Sequence, residues 1–232
     1  MKRLRALFLD FDGLVLDTED ACFASWQWLF REHGHDYRLE DYLKIIGSDY
    51  DAHDPRTLLD QLTGRALDWA ALEASRREAE LRLGHGLTVK PGVREIVAEA
   101  EARELFRGVV SSATRQWVRG HLDRHGLLQS FHTLVCRDDV ARIKPAPDLY
   151  LEAIRRAGIN ASEGIVLEDS HNGSLAAKDA GLWCVAVPNT ITVTQDFSHA
   201  DARVDNLAST TLAELAARCG LALEKKRAAG NE

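Results

Sequence analysis

Two aspartates one residue apart, Asp10 and Asp12, close the apolar run Leu4-Arg5-Ala6-Leu7-Phe8-Leu9 and are followed by Gly13. Alternate residues of a strand face the same side, so the two carboxyl groups can flank one ligand atom, one attacking it and the other moving a proton. Like charges at the end of a buried strand raise each other's pKa, and a bound divalent cation removes that cost. Gly13 lets the backbone turn sharply beside the ligand. The same residues would also fit an edge-strand turn carrying two solvated aspartates.

Positioning such a pair takes a sheet, and the rest of the chain supplies one. The run before Asp10 reads as a strand buried on both faces, the signature of a parallel sheet covered by helices. From Glu19 to about Gly86 the pattern turns helical, with helices expected over Asp20–His33, Arg38–Ile46, Pro55–Thr63 and Asp68–Leu83. Beyond Lys90-Pro91-Gly92, helices (Val93–Arg103, Thr114–His125, Pro147–Ala157, Ser174–Ala180) alternate with strands (Phe106–Val110, Thr133–Cys136, Gly164–Leu167, Trp183–Val187). This alternation predicts an α/β fold, a Rossmann-like doubly wound parallel sheet interrupted after its first strand by a helical insertion.

Ligands of such sheets sit beyond the carboxyl ends of the strands, so polar chemistry is expected there. Ser111-Ser112 follow the Phe106–Val110 strand, Lys144-Pro145 lie on a proline-stiffened turn after the Thr133–Cys136 strand, and Glu168-Asp169-Ser170 end the Gly164–Leu167 strand. Each has an ordinary alternative: a helix cap for the serines, a solvated loop lysine, an acidic turn. Falling together at strand ends, they provide a nucleophile, an acidic cation site, hydroxyl donors and a lysine, the parts that stabilise a transferring phosphoryl group.

The bulk properties narrow the class. The chain has 232 residues, 45% hydrophobic and 28% charged, with a formal net charge of −7, so it can bury a full core and lacks the basic balance expected of a nucleic-acid binder. Cys22, Cys136, Cys184 and Cys219 are scattered and read as core thiols in a reducing compartment. Asp10 and Asp12 interrupt the segment that follows Lys2, Arg3 and Arg5, so a cytoplasmic chain is expected rather than a signal peptide, and no apolar run reaches membrane-spanning length. His121 and His125 have the spacing of a zinc-binding pair, but without the glutamate of H-E-x-x-H they read as a solvated helix face. Lys225–Glu232 reads as a frayed polar tail.

Asp10-Phe11-Asp12-Gly13, Ser111, Lys144-Pro145 and Glu168-Asp169-Ser170, in this order from Leu7 to about Asn189, resemble the haloacid dehalogenase superfamily, and more closely its capped small phosphatases related to β-phosphoglucomutase. The resemblance implies a core domain of residues 1–16 and 87–232 and a helical (C1-type) cap of residues 17–86. It implies Asp10 as nucleophile forming an aspartyl-phosphate and Asp12 as the acid and base. Ser111 and Lys144 would hold phosphoryl oxygens. Mg2+ would be bound by Asp10, Asp169 and the backbone carbonyl of Asp12, with Glu168 behind them or as a further ligand. Gly13, Ser112, Gly47, Ser48, His171 and Asn172 are the candidates to contact substrate. The implied partner is a small phosphorylated metabolite handled by a monomer, with no nucleic acid or membrane.

Aspartate at position 12 separates reaction classes within the superfamily: dehalogenating members lack it, phosphonate-cleaving members carry alanine there, and transport ATPases threonine. The expected reaction is hydrolysis of a phosphomonoester or phosphoryl transfer. A mutase of the β-phosphoglucomutase type would need a histidine and an arginine where Cys22 and Ile46-Gly47-Ser48-Asp49-Tyr50 stand, so hydrolysis is favoured. The acidic segment Gly47–Asp54 either closes over the site and repels a second anion, which points to a sugar or polyol leaving group, or simply solvates the surface of the cap. A phospho-acceptor signalling domain would lack the helical insertion, and a purely phosphate-binding protein would not need the complete acid set.

Overall fold

The computed structural model describes residues 2–47, 53–84 and 86–224; Ser48, most of the acidic segment around it and the 225–232 tail lie outside them. In chain order the elements are β1 (Lys2–Arg3), β2 (Ala6–Leu9), α1 (Thr18–Glu32), α2 (Leu39–Tyr42), α3 (Pro55–Thr63), α4 (Trp69–Leu83), α5 (Val93–Ala102), β3 (Phe106–Val110) and α6 (Arg115–Arg124). They continue with β4 (Thr133–Val135), α7 (Asp148–Ala157), β5 (Gly164–Glu168), α8 (His171–Asp179), β6 (Trp183–Ala186), β7 (Ala202–Arg203), α9 (Leu212–Arg218) and β8 (Leu221–Ala222).

Six strands form one parallel sheet in the order β4-β3-β2-β5-β6-β7, and β1 pairs with β8 separately. Strand β2 is central because every residue of Ala6-Leu7-Phe8-Leu9 is buried, as expected when helices cover both faces. Leu7 and Leu9 pack into one cluster with Val109, Ile165 and Leu167, under α5, α6 and α9. Ala6 and Phe8 pack into the other with Val166, Leu149 and Ala176, under α7 and α8. The chain order reverses at β2, with β3 and β4 on one side and β5 to β7 on the other. That reversal opens the crevice at the carboxyl ends where ligands bind in such sheets.

Between β2 and α5 the helices α1 to α4 build a third cluster around Trp26, Phe30, Tyr37, Tyr42 and Leu59, joined by Ile191 from the loop after β6. The two segments leading in and out of this helical unit lie side by side: Leu16 bridges Val89, Lys90 N donates to the Val15 carbonyl, and the Lys90 ammonium pairs with Asp17.

Three elements differ from the sequence expectation for local reasons. The helix expected over Arg38–Ile46 stops after Tyr42, because Ile45 and Ile46 turn inward to the third cluster and Gly47 adopts φ +72°. A Cβ on Gly47 would lie 2.7 Å from Ser170 Oγ, so the close approach of the helical unit to the core requires glycine there. Helix α8 begins at His171 rather than Ser174, since Ser170 caps it by accepting from Gly173 N. His121 is not on a solvated face: it is buried, its ring 4.3 Å from that of Trp117 and 6.2 Å from that of Phe11.

Candidate active site

The carboxyl ends of the strands gather the predicted residues. Asp10 follows β2 and keeps its backbone in the sheet by donating to the Leu167 carbonyl, while Ser111 follows β3 and donates to the Val135 carbonyl. Glu168 ends β5 and Asp169 follows it. Lys144, on the loop before α7, is buried and carries its ammonium to the middle of this group: it hydrogen-bonds Asp10, Glu168 Oε1 at 2.6 Å and the Val110 carbonyl at 2.9 Å. A buried ammonium with three acceptors has no free donor left, which fixes its position.

Asp10, Glu168 and Asp169 are all buried, and each offers a carboxylate oxygen to a cluster whose ligand atoms lie within 4.8 Å of one another. Burial first, and the neighbouring Glu168 and Asp12 after it, push the Asp10 carboxyl well up, with Lys144 opposing. Burial, Asp10 and Glu168 push Asp169 up likewise. Burial works against the charge of Lys144, but Asp10 and Glu168 outweigh it and hold the ammonium above its usual range. Ionised, three carboxylates around one ammonium leave an excess of two negative charges in a buried site. Hard oxygen donors with that excess fit a divalent cation such as magnesium.

Within this cluster of three, Glu168 accepts from the most protein donors. Oε1 accepts from Lys144 and from the Tyr150 hydroxyl, and Oε2 accepts from Ser170 Oγ at 3.3 Å. A Cβ on Gly173 would fall 2.1 Å from Oε2. Asp169 is steadied by Asn189 Nδ2 at 2.7 Å, which also donates to the Gly13 carbonyl. Gly13 has φ +79°, and a Cβ on it would lie 2.1 Å from Asp169 Oδ2; a left-handed backbone and this close approach both call for glycine.

Asp12 is held apart from the acidic cluster. Its Oδ1 accepts from Thr18 Oγ1 at 2.8 Å and from Trp117 Nε1 at 2.9 Å, and its Oδ2 faces Ser111 Oγ at 3.4 Å. The helix cap of α6 is Thr114 rather than either serine, which leaves Ser111 and Ser112 to the site. Ser112 Oγ donates to the Gly47 carbonyl and Asn172 Nδ2 to the Ile46 carbonyl, so both join the helical unit to the core. His171 turns to the loop after β6, with Nδ1 at the Asp196 carbonyl and its ring against His199.

Above the group lies a cleft of about 1050 Å³, lined from the core by Asp10, Asp12, Ser111, Asp169 and Trp117, and from the helical unit by Glu19, Cys22, Tyr42, Gly47 and Arg76. Sequence reasoning missed Thr18, Trp117, Tyr150 and Asn189, which orient the acidic side chains, and Glu19, whose buried carboxyl is pushed up to about 7, mainly by its removal from water.

Comparison with known proteins places the chain in a family. Residues 7–187 match the haloacid dehalogenase-like hydrolases, and the protein belongs to that family. A Bacillus subtilis protein named "Putative phosphatase YhcW" is 38% identical over 91% of this chain and 96% of its own. Validoxylamine A 7'-phosphate phosphatase of Streptomyces hygroscopicus subsp. limoneus is 31% identical over 80% of this chain and 85% of its own. The crystal structure of CbbY from Rhodobacter sphaeroides in complex with phosphate superposes with a TM-score of 0.77 at 27% identity, covering 91% of this chain and 99% of that one. The protein is thus a hydrolase whose relatives' names support phosphatase action on small phosphorylated substrates. No helix among the described residues is long and apolar enough to cross a membrane.

Proposed function

We propose that the protein is a magnesium-dependent phosphatase of small phosphomonoesters, sugar or polyol phosphates in particular, working through an aspartyl-phosphate on Asp10. The observation that carries this reading is the buried arrangement of Lys144 between Asp10 and Glu168, with Asp169 beside them and Asp12 held separately by Thr18 and Trp117. Residues 17–86 act as a cap and residues 1–16 and 87–232 as the core.

In this scheme Asp10 attacks phosphorus in line, the ester P–O bond breaks, and Asp12 gives its proton to the departing oxygen. Asp12 then takes a proton from water as that water attacks phosphorus, and the bond to Asp10 breaks to release phosphate. Ser111 holds a phosphoryl oxygen as charge develops, and the Lys144 ammonium turns the donor it now gives Asp10 to a second one as the Asp10 carboxylate loses its charge to the new bond. Asp10, Asp169 and the Asp12 carbonyl would hold magnesium, with Glu168 fixing Lys144. When bound, the cation neutralises the phosphoryl oxygens and the acids around them.

Cys22 lines the cleft where the mutase reading needs a histidine. Burial, then Glu80 and Glu19, push its thiol well up, so at neutral pH it stays a neutral thiol and cannot take over the work of an imidazole. The cleft wall of Glu19, Tyr42 and Arg76 mixes donors and acceptors, which suits a hydroxylated leaving group.

A panel of phosphomonoesters assayed with and without magnesium, on the wild type and Asp10→Asn, tests the reading. Turnover of sugar or polyol phosphates that needs magnesium and disappears in Asp10→Asn is expected. Magnesium-dependent turnover retained in Asp10→Asn would remove the nucleophile, and no turnover of any ester by the wild type would remove the phosphatase.

A further inference from the structure

We infer that Trp117 is a positioning residue for the proposed reaction: its indole N–H fastens one oxygen of Asp12 so that the other is the oxygen that delivers the proton. The inference rests on the role proposed for Asp12. Thr114 caps α6 and so places Trp117 in its first turn, from which the side chain reaches back over the helix N-terminus to the loop after β2. There Nε1 lies 2.9 Å from Asp12 Oδ1, the same oxygen that takes the Thr18 hydroxyl at 2.8 Å. The Thr18 oxygen in turn accepts from Gly13 N at 3.2 Å.

An indole N–H can donate and never accept. Oδ1 of Asp12, which must accept from that indole, is therefore the wrong oxygen to carry the acid proton, whereas Oδ2 is met by the Ser111 hydroxyl at 3.4 Å, a donor that can turn to accept. Oδ2, on the Ser111 side of the carboxyl, is left to carry it toward the phosphoryl leaving group. The indole is itself held in place. His121, one turn further along α6, is buried with its ring 4.3 Å from the indole and at 64° to it, and on its other flank lies Phe11. The buried Nδ1 of His121 has no hydrogen-bond partner among the described residues, and the ring braces Trp117 by packing. In sequence Trp117 is indistinguishable from a residue of the apolar stripe of α6, since it also packs on the core.

The test compares wild type with Trp117→Phe and with a variant carrying 3-benzothienylalanine at position 117, which keeps the bicyclic shape but replaces N–H by sulfur. Each is assayed for kcat/KM, which reports the steps up to transfer of the phosphoryl group to Asp10, on the alkyl phosphomonoesters of the panel and on p-nitrophenyl phosphate. An alkoxide needs the proton in order to leave, whereas p-nitrophenoxide leaves without one. General-acid catalysis contributes roughly 10²- to 10⁴-fold, so a misdirected carboxyl should cost about 10- to 100-fold on the alkyl esters. The aryl ester should lose no more than about threefold. Equal losses on both ester types, or no loss on either, would overturn the positioning role while leaving the phosphatase intact. A wild type inactive on every ester would instead remove the phosphatase reading, and this inference with it.

Discussion

Glu19 gives a stability test that needs no substrate. Its carboxyl is buried, accepts the Tyr42 hydroxyl at 2.5 Å, and is pushed from 4.5 to about 7, chiefly by burial, with Asp12 and Glu80 adding to the rise and Tyr42 opposing it. Because the folded pKa is raised, the folded protein keeps a proton that the unfolded chain releases once the pH passes about 4.5. Stability from this group therefore falls as pH rises from about 4.5 to about 7 and is flat above. At about 1.4 kcal/mol per pH unit, the gap amounts to roughly 3 kcal/mol. Glu19→Gln keeps the shape and an oxygen for Tyr42 but carries no charge.

Thermal unfolding of wild type and Glu19→Gln in EDTA, which keeps divalent cations out of the cleft, should give similar midpoints near pH 4.5. They should separate by about 6–12 °C in favour of the variant at pH 8, at 2–4 °C per kcal/mol for a chain of this size. Asp10, also pushed up by burial, gives both proteins the same decline, which cancels in the difference, whereas Asp169 is pushed up in part by Glu19, so losing that charge adds to the separation in the same direction. Two curves that run parallel across this range would mean that Glu19 ionises as an exposed carboxyl does, refuting the reasoning.

Gly13→Ala should lower magnesium-dependent turnover at least 100-fold while costing about 1–3 kcal/mol in denaturant unfolding, since the new methyl overlaps Asp169 and φ +79° strains any other residue. Arg76→Met should destabilise the protein by roughly 2–4 kcal/mol by the same measurement. It strips the buried guanidinium from Glu80, Ser25 and the face of Trp26, and leaves Glu73 with Arg77 alone of its two arginines. An unchanged midpoint in urea would show that these partners are solvated without it.

The elements read most closely from the sequence are those with their own punctuation. Pro55–Thr63 is bounded as expected because Asp54 caps it, Pro55 occupies its first turn and Gly64 ends it in a left-handed conformation. The β2, β3 and β5 strands announce themselves as apolar runs followed by acids or serines. The missed elements are short or distant: β1, β7 and β8 are two residues each, and such lengths carry no periodicity. Helix α9 did carry a signal, the capping box Thr211-x-x-Glu214.

The site shows the same division. Asp10, Ser111, Lys144 and Asp169 could be anticipated because each follows a strand of one sheet. Trp117, Tyr150 and Asn189 could not, since each meets its carboxylate across a fold-dependent gap and looks in sequence like core or loop. His121 misled for the converse reason: a polar side chain on an amphipathic helix became a packing element once Trp117 and Phe11 closed around it.

In the proposed reaction Asp10 carries the phosphoryl group. Rapid acid quench of enzyme, magnesium and the best ester of the panel, followed by borohydride reduction and peptide mass mapping, reads it directly, because an acyl phosphate on aspartate is reduced to homoserine. Homoserine at position 10, absent without substrate, is the predicted result. Rapid turnover with no reduced residue, or with the label at Asp12 or Asp169, would contradict it.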